Sequence, residues 1–195
     1  MVKTYSVRKD GDTKLSDNFT VSEFACQDGS DKVLIDTDLV AILQKIRDRF
    51  GKPITINSAY RTASHNRKAG GVSNSQHVKG TAADIVVLGI TPLEVAKYVE
   101  YMMPKKGGIG VYPGFVHIDV RANRSRWTNY GIENPVSGFP GYTEPVKMLE
   151  SVNDIVWELH SRGIITNKEL WLKKLNEDKD AYWLAYKTAN MTKNK

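Results

Sequence analysis

The chain has 195 residues, 41% of them hydrophobic and 26% charged, with a formal net charge of +6, which describes an ordinary soluble globular domain with room for a small appendage. The basic residues are scattered and nowhere interleaved with aromatics, so nucleic acid is not an expected partner, whereas anionic lipid and an anionic cell-wall polymer both suit the charge. Cys26 is the single cysteine, which excludes an internal disulfide and any thiolate-rich zinc cluster and leaves it as a small buried hydrophobe.

Residues 1–17 are polar and read as a lead-in without the apolar core of a secretory signal. No later stretch is long enough to span a membrane. The expectation is therefore a protein made in the cytoplasm, with no membrane insertion, that reaches any outside substrate by another route. Leu39, Leu43, Ile46 and Phe50 recur at helical spacing, with Asp36 or Thr37 as N-cap and Gly51 as stop. "PITINSAYR" alternates as a strand whose far end carries Arg61. Residues 62–80, rich in Gly, Ser and Asn, predict a long ordered loop of the functional kind.

"AADIVVL" predicts a short strand, and "TPLEVAKYVEYMM" a helix opened by Thr91 and Glu94 in capping-box spacing with Pro92 first. "GIGVYPGFVHIDVR" predicts a hairpin turning at Pro113-Gly114, a pair suited to a type II turn. Residues 126–144, rich in Gly, Pro and Asn, read as a linker, and 145–195 as a small helical region with a capping box at Thr166 and Glu169. The fold class is α+β: a small, mostly antiparallel sheet with flanking helices over residues 18–125, plus a C-terminal helical appendage. The rings of Trp157, Trp171, Tyr182, Trp183 and Tyr186 serve that appendage as core, or, beside its lysines, as a wall-binding surface.

In the second hairpin strand Val116, Ile118 and Val120 share one face, and His117, Asp119 and Arg121 the other. Asp84 lies opposite the apolar Ala83, Ile85 and Val87, and His77 precedes it in the loop, with Gly80 allowing the return. A carboxylate at the edge of a buried strand is costly unless paired or metal-bound. Two imidazoles and one carboxylate suit a catalytic zinc site with a fourth position for water. Spacing alone leaves two readings open: that site, or a turn-capping Asp84 beside an Asp119–Arg121 ion pair.

The order "NFTVSEFAC", "INSAYRTASHN", "GGVSNSQHVKGTAADI" and "GIGVYPGFVHIDVR", with SxHxxGxAxD followed by HxD, resembles the zinc peptidases of bacterial peptidoglycan. These are the D-alanyl-D-alanine carboxypeptidase and L-alanyl-D-glutamate endopeptidase family, whose core is shared with phage endolysins and the hedgehog signalling domain. The resemblance implies one zinc per chain held by His77, Asp84 and His117. It makes Arg61 the substrate-binding and oxyanion-stabilising arginine, and sets Ser75 near the bound substrate. It implies peptidoglycan stem peptides as substrate, reached through holin-type release or as part of a phage. Many members place a general base three residues before the last zinc histidine, where this chain has Gly114. Asp119, on the face of His117, is the expected replacement. The alternatives are a non-catalytic wall-binding module that keeps its zinc, and a phage structural protein.

Overall fold

The apolar positions that recur at helical spacing bury together: Leu39, Leu43 and Ile46 are at most 1% exposed on the helix Thr37–Phe50 (α2). Asp36 caps this helix by accepting from the Asp38 N–H, and Gly51 ends it in the left-handed region. In the computed structural model the described residues are 1–143, 152–178, 181–182, 184–185 and 188–189. They fall into two units, Met1–Tyr142 and Thr143–Lys195.

The first unit is an α+β domain. Its elements run β1 (Val2–Ser6), α1 (Val7–Asp10), a 3-10 turn (Val21–Phe24), β2 (Lys32–Asp36), α2, β3 (Ile54–Ser58), α3 (Ala63–Lys68), β4 (Ala82–Val87), α4 (Pro92–Met102), β5 (Gly108–Val111), β6 (Val116–Asp119), β7 (Ser125–Asn129) and β8 (Glu133–Pro135). Six strands form one sheet in the order β3-β4-β6-β5-β7-β8. Every pairing in it is antiparallel except β5 with β7. α2 and α4 carry the apolar face that meets Ile85, Val87, Ile109, Val116 and Ile118 of the sheet in one buried cluster. Thr91 and Glu94 form the expected capping box at the start of α4.

Four local expectations for the first unit differ from what is observed, the first being that the 62–80 stretch expected as a loop contains the helix α3. The lead-in is partly ordered, because β1 pairs along its whole length with β2. The stretch expected as a linker supplies β7 and β8, two strands of the main sheet. The β5–β6 turn is closed by the Tyr112 N–H to the Phe115 carbonyl at 3.0 Å, without the positive φ at Gly114 that a type II turn needs.

The second unit has α5 (Val152–Ser161) and α6 (Lys168–Glu177) around a core of its own made by Ile155, Val156, Leu159, Ile165 and Leu175. Asn167, rather than Thr166, caps α6, its side chain accepting from the Leu170 N–H at 3.0 Å. Trp171 and Tyr182 pack on that core, while Trp157 is exposed under the Lys168 ammonium, 3.5 Å from the ring centre. Trp183 and Tyr186 lie outside the described residues. Among the described residues no helix is long and apolar enough to cross a membrane.

Candidate active site

Strand register does most of the assembly. In the β4–β6 ladder Asp84 lies directly across from His117, and Ala82 across from Asp119. Cross-strand partners hold their Cβ atoms about 5 Å apart, so the carboxylate and the imidazole meet on the sheet itself, Oδ1 to Nδ1 at 2.8 Å. His77 arrives from the loop before β4. Its carbonyl accepts from the N–H groups of Arg61 (3.2 Å) and Gly80 (3.1 Å), and its own N–H donates to the Ser75 hydroxyl at 3.3 Å. Gly80 has φ +72°, and a Cβ there would lie 2.5 Å from the Leu34 carbonyl oxygen. The turn that returns His77 to the sheet therefore requires glycine.

The three groups converge on one point. His77 Nε2 is 3.2 Å from His117 Nδ1 and 3.3 Å from Asp84 Oδ1, and all three residues are buried. The outer nitrogens are each committed to an acceptor. His77 Nδ1 donates to the Ala59 carbonyl at 2.7 Å, and His117 Nε2 donates to Asp119 Oδ2 at 3.1 Å. With both rings neutral, two bare nitrogens and a carboxylate oxygen then face one another with no proton among them. Such a set is stable only around a cation, and it fits a divalent metal of the zinc class.

Electrostatics in the absence of an ion point the same way. Burial works against charge on His117, but its hydrogen bonds to Asp119 and Asp84 outweigh that and raise its pKa to about 9. Burial likewise opposes ionisation of Asp84, while the bonds from His117 and His77 hold it well below the usual carboxylate range. A proton on His117 occupies the place that a metal takes. Zinc-binding histidines are commonly fixed in this way from behind by a carboxylate or carbonyl.

Asp119 is on the face of His117, as strand alternation predicts, but its carboxylate is not in the cleft. It has no exposed surface and lies on the far side of the His117 ring from Asp84. Its oxygens are taken by the N–H groups of Gly108 (3.0 Å) and Arg121 (3.1 Å), by the Arg121 guanidinium and by His117. A Cβ at position 108 would lie 2.1 Å from Asp119 Oδ2, so Gly108 makes the room this carboxylate needs. The general-base place expected for Asp119 is not the one it occupies. The expected Asp119–Arg121 ion pair is present, joined to His117 rather than excluding the metal site.

Arg61 reaches the site from the end of β3. Its Nη2 donates to Asp84 Oδ2 at 2.9 Å and its Nε to Ser58 Oγ at 2.8 Å, and among the described residues Nη1 has no hydrogen-bond partner. Asn66 of α3 braces the intervening loop through its side-chain amide to the Val72 carbonyl at 2.8 Å. The three convergent side chains, Arg61 and Ser75 all border one cleft of about 600 Å³. Its wall also includes Arg121, from the polar face of the second hairpin strand, and Tyr112, Phe115, Trp127 and Glu133, which carry no distinct sequence signal. The Tyr112 and Phe115 rings stack at 4.3 Å, and the Trp127 indole N–H donates to the Tyr112 hydroxyl at 3.2 Å. Apart from Asp84, Glu133 is the only carboxylate on the cleft lining among the described residues.

A family model described as Peptidase M15 matches residues 17–119, more than half of the chain. The chain belongs to the peptidase M15 family. Over 94 residues it is 35% identical to the peptidoglycan L,D-endopeptidase MepK of Escherichia coli (strain K12), an alignment covering 44% of this chain and 50% of that one. The probable peptidoglycan L,D-endopeptidase MepK of Haemophilus influenzae is 37% identical over 73 residues, 34% of this chain and 38% of that protein. A zinc D-Ala-D-Ala carboxypeptidase of Streptomyces albus G is 48% identical over 44 residues, 22% of this chain and 17% of its own. The chain thus spans half or less of the length of these curated relatives. The M15 match contains His77, Asp84, His117 and Arg61, and it stops before Arg121, Trp127 and Glu133.

Proposed function

We propose that this M15 chain is a zinc-dependent peptidase that cleaves peptide bonds in the stem peptides of bacterial peptidoglycan, of the D-Ala-D-Ala carboxypeptidase or L-Ala-D-Glu endopeptidase type. The observation that carries the reading is the meeting of His77 Nε2, Asp84 Oδ1 and His117 Nδ1 on the floor of an open cleft, beside a guanidinium with a free nitrogen. When bound there, zinc supplies Lewis acidity toward a carbonyl and a water acidic enough to react near neutral pH.

The protein side of the chemistry then divides as follows. Arg61, held by Asp84 and Ser58, offers Nη1 to the substrate oxygen on which charge develops or to a terminal carboxylate. Asp119 fixes the tautomer and angle of His117. The attacking water must give up a proton, and Glu133 on β8 is the cleft carboxylate left to take it. The Tyr112, Phe115 and Trp127 rings form an apolar wall for the peptide. Ser75 steadies the His77 backbone at the cleft edge.

Defined stem peptides incubated with the zinc-loaded chain and read by mass test this. Release of D-alanine indicates a carboxypeptidase, and new amino termini within the stem an endopeptidase. A second reading, a module that binds wall peptides without cutting, draws on the missing side chain at Gly114. A chain that holds zinc and binds peptidoglycan, yet leaves every stem peptide intact, establishes that reading instead.

A further inference from the structure

Outside the cleft, a sulfur, an oxygen and a nitrogen from distant parts of the chain come together around Thr62. Cys26 follows the 3-10 turn and opens a tight turn closed by the Gly29 N–H to the Cys26 carbonyl at 3.3 Å, with Gly29 at φ +79°. Thr62, the N-cap of α3, points its own N–H at Cys26 Sγ (3.4 Å) and its hydroxyl at Asp28 Oδ2. Its oxygen accepts from the His65 N–H at 3.1 Å. One ligand atom each from Cys26, Asp28 and His65 lies within 4.8 Å of the others. Tetrahedral zinc with bonds of about 2.0–2.3 Å separates its ligands by roughly 3.3–3.8 Å, within reach of small side-chain rotations here.

One further feature distinguishes this group from a chance cluster. The His65 ring makes no hydrogen bond among the described residues, and it borders a second cavity, lined also by Gln27, Asn57 and Ser58 and by the cleft residues Arg61 and Asp84, so it is free to turn toward an ion. The mixture of donors also selects the ion. A thiolate and an imidazole favour zinc over magnesium or calcium, which take oxygen.

We propose that Cys26, Asp28 and His65 form a second metal site, for a divalent ion of the zinc class, which ties the 26–29 turn to α3. The sequence expectation of one zinc per chain becomes two. The position gives the site a consequence. Thr62 follows Arg61, so an ion on this cluster fixes the segment whose guanidinium reaches Asp84.

Cobalt(II) tests this without depending on catalysis. A thiolate bound to cobalt(II) gives a near-ultraviolet charge-transfer band, and the cleft set contains no sulfur. Chelator-treated full-length protein, kept reduced and titrated with cobalt(II), should take up two equivalents and develop that band. His77→Ala should lose one equivalent and keep the band, so failure of the cleft reading is distinguishable from failure of this one. His65→Ala should keep its folded circular dichroism and the cleft equivalent but lose the second equivalent and its band. Cys26→Ser should lose the band as well, though the His65 variant suffices if the serine variant does not fold. Absence of the band at saturating cobalt, or a band of unchanged strength and affinity in both His65→Ala and Asp28→Asn, overturns the proposal.

Discussion

Asp119→Asn separates the two roles open to this residue. Its Oδ1 accepts from the backbone N–H groups of Gly108 and Arg121, and an asparagine carbonyl can keep both bonds. Its Oδ2 accepts from His117 Nε2 and the Arg121 guanidinium. There an amide NH2 sets donor against donor. Arg121 Nε can keep its 2.8 Å bond to Oδ1, but the charge-assisted bonds from His117 Nε2 and Arg121 Nη2 are lost at about 1.5–3 kcal/mol each, in line with the ~3–5 kcal/mol of a broken buried ion pair. For a domain of this size that lowers Tm by roughly 10 °C. The swap also removes the anchor that keeps His117 Nδ1 bare, and loss of such an outer partner costs about 10- to 100-fold in metal affinity. Thermal unfolding and a competitive zinc titration against a chromophoric chelator measure both quantities. If Asp119→Asn binds zinc and melts like wild type but turns over slowly, Asp119 acts as a base and its positioning role is refuted.

Glu133→Gln should do the reverse, lowering turnover of stem peptides by about 10²–10⁴-fold while zinc affinity and Tm stay at wild-type values; an unchanged rate sends the proton elsewhere. His117→Ala should lose cleft metal and activity together, and metal analysis plus the vanished rise in Tm on adding zinc would show it. In metal-free protein His117 is raised from 6.5 to about 9, so the stability it contributes is complete below about pH 6.5 and lost as pH rises through 9. The metal-free Tm should therefore fall across that window while the zinc-loaded Tm does not follow, and calorimetry in two buffers near pH 7.5 should detect a proton released on zinc binding. Because the units up to Tyr142 and from Thr143 each have their own apolar cluster, a chain ending at residue 143 should fold, hold its cleft metal and cut short soluble peptides; loss of the fold on truncation would contradict that division.

What the sequence made legible was direction, and what it hid was distance. Alternation along "VHIDVR" places His117 and Asp119 on one face, and the observed register confirms that face. It does not say that Asp84, across the ladder, meets Nδ1 while Asp119, along the strand, meets Nε2. One imidazole therefore separates the two carboxylates, and a residue read as facing the cleft lies behind its wall. The strands that escaped detection share a cause as well. β1, β7 and β8 are short and rich in polar residues, so their conformation comes from pairing rather than from an apolar period. Arg126 shows why composition misled for β7: it is only 4% exposed, yet Glu100 and the carbonyls of Met103 and Gly107 satisfy its guanidinium. A buried arginine of this kind reads as a surface residue until its partners, more than fifteen positions away, are in place.

The unexpected strands bear on how far likeness to the relatives reaches. The M15 match ends at residue 119, and it holds His77, Asp84 and His117, the candidate metal ligands, together with Arg61. The cleft wall continues past that limit through Arg121, Ser125, Trp127 and Glu133, on β7, β8 and the segment leading to them. The cleft around His77 and His117 is thus walled partly by matched residues and partly by residues outside the match. Identity to an L,D-endopeptidase and to a D-Ala-D-Ala carboxypeptidase over the matched part is accordingly no guide to which bond is cut. On the proposed function, the bond cut would be set by how far the peptide advances along the cleft before it meets Tyr112, Trp127 and Glu133. Exchanging β7 and β8 for the equivalent segment of either relative is therefore the change expected to move the cleavage position while leaving zinc binding intact.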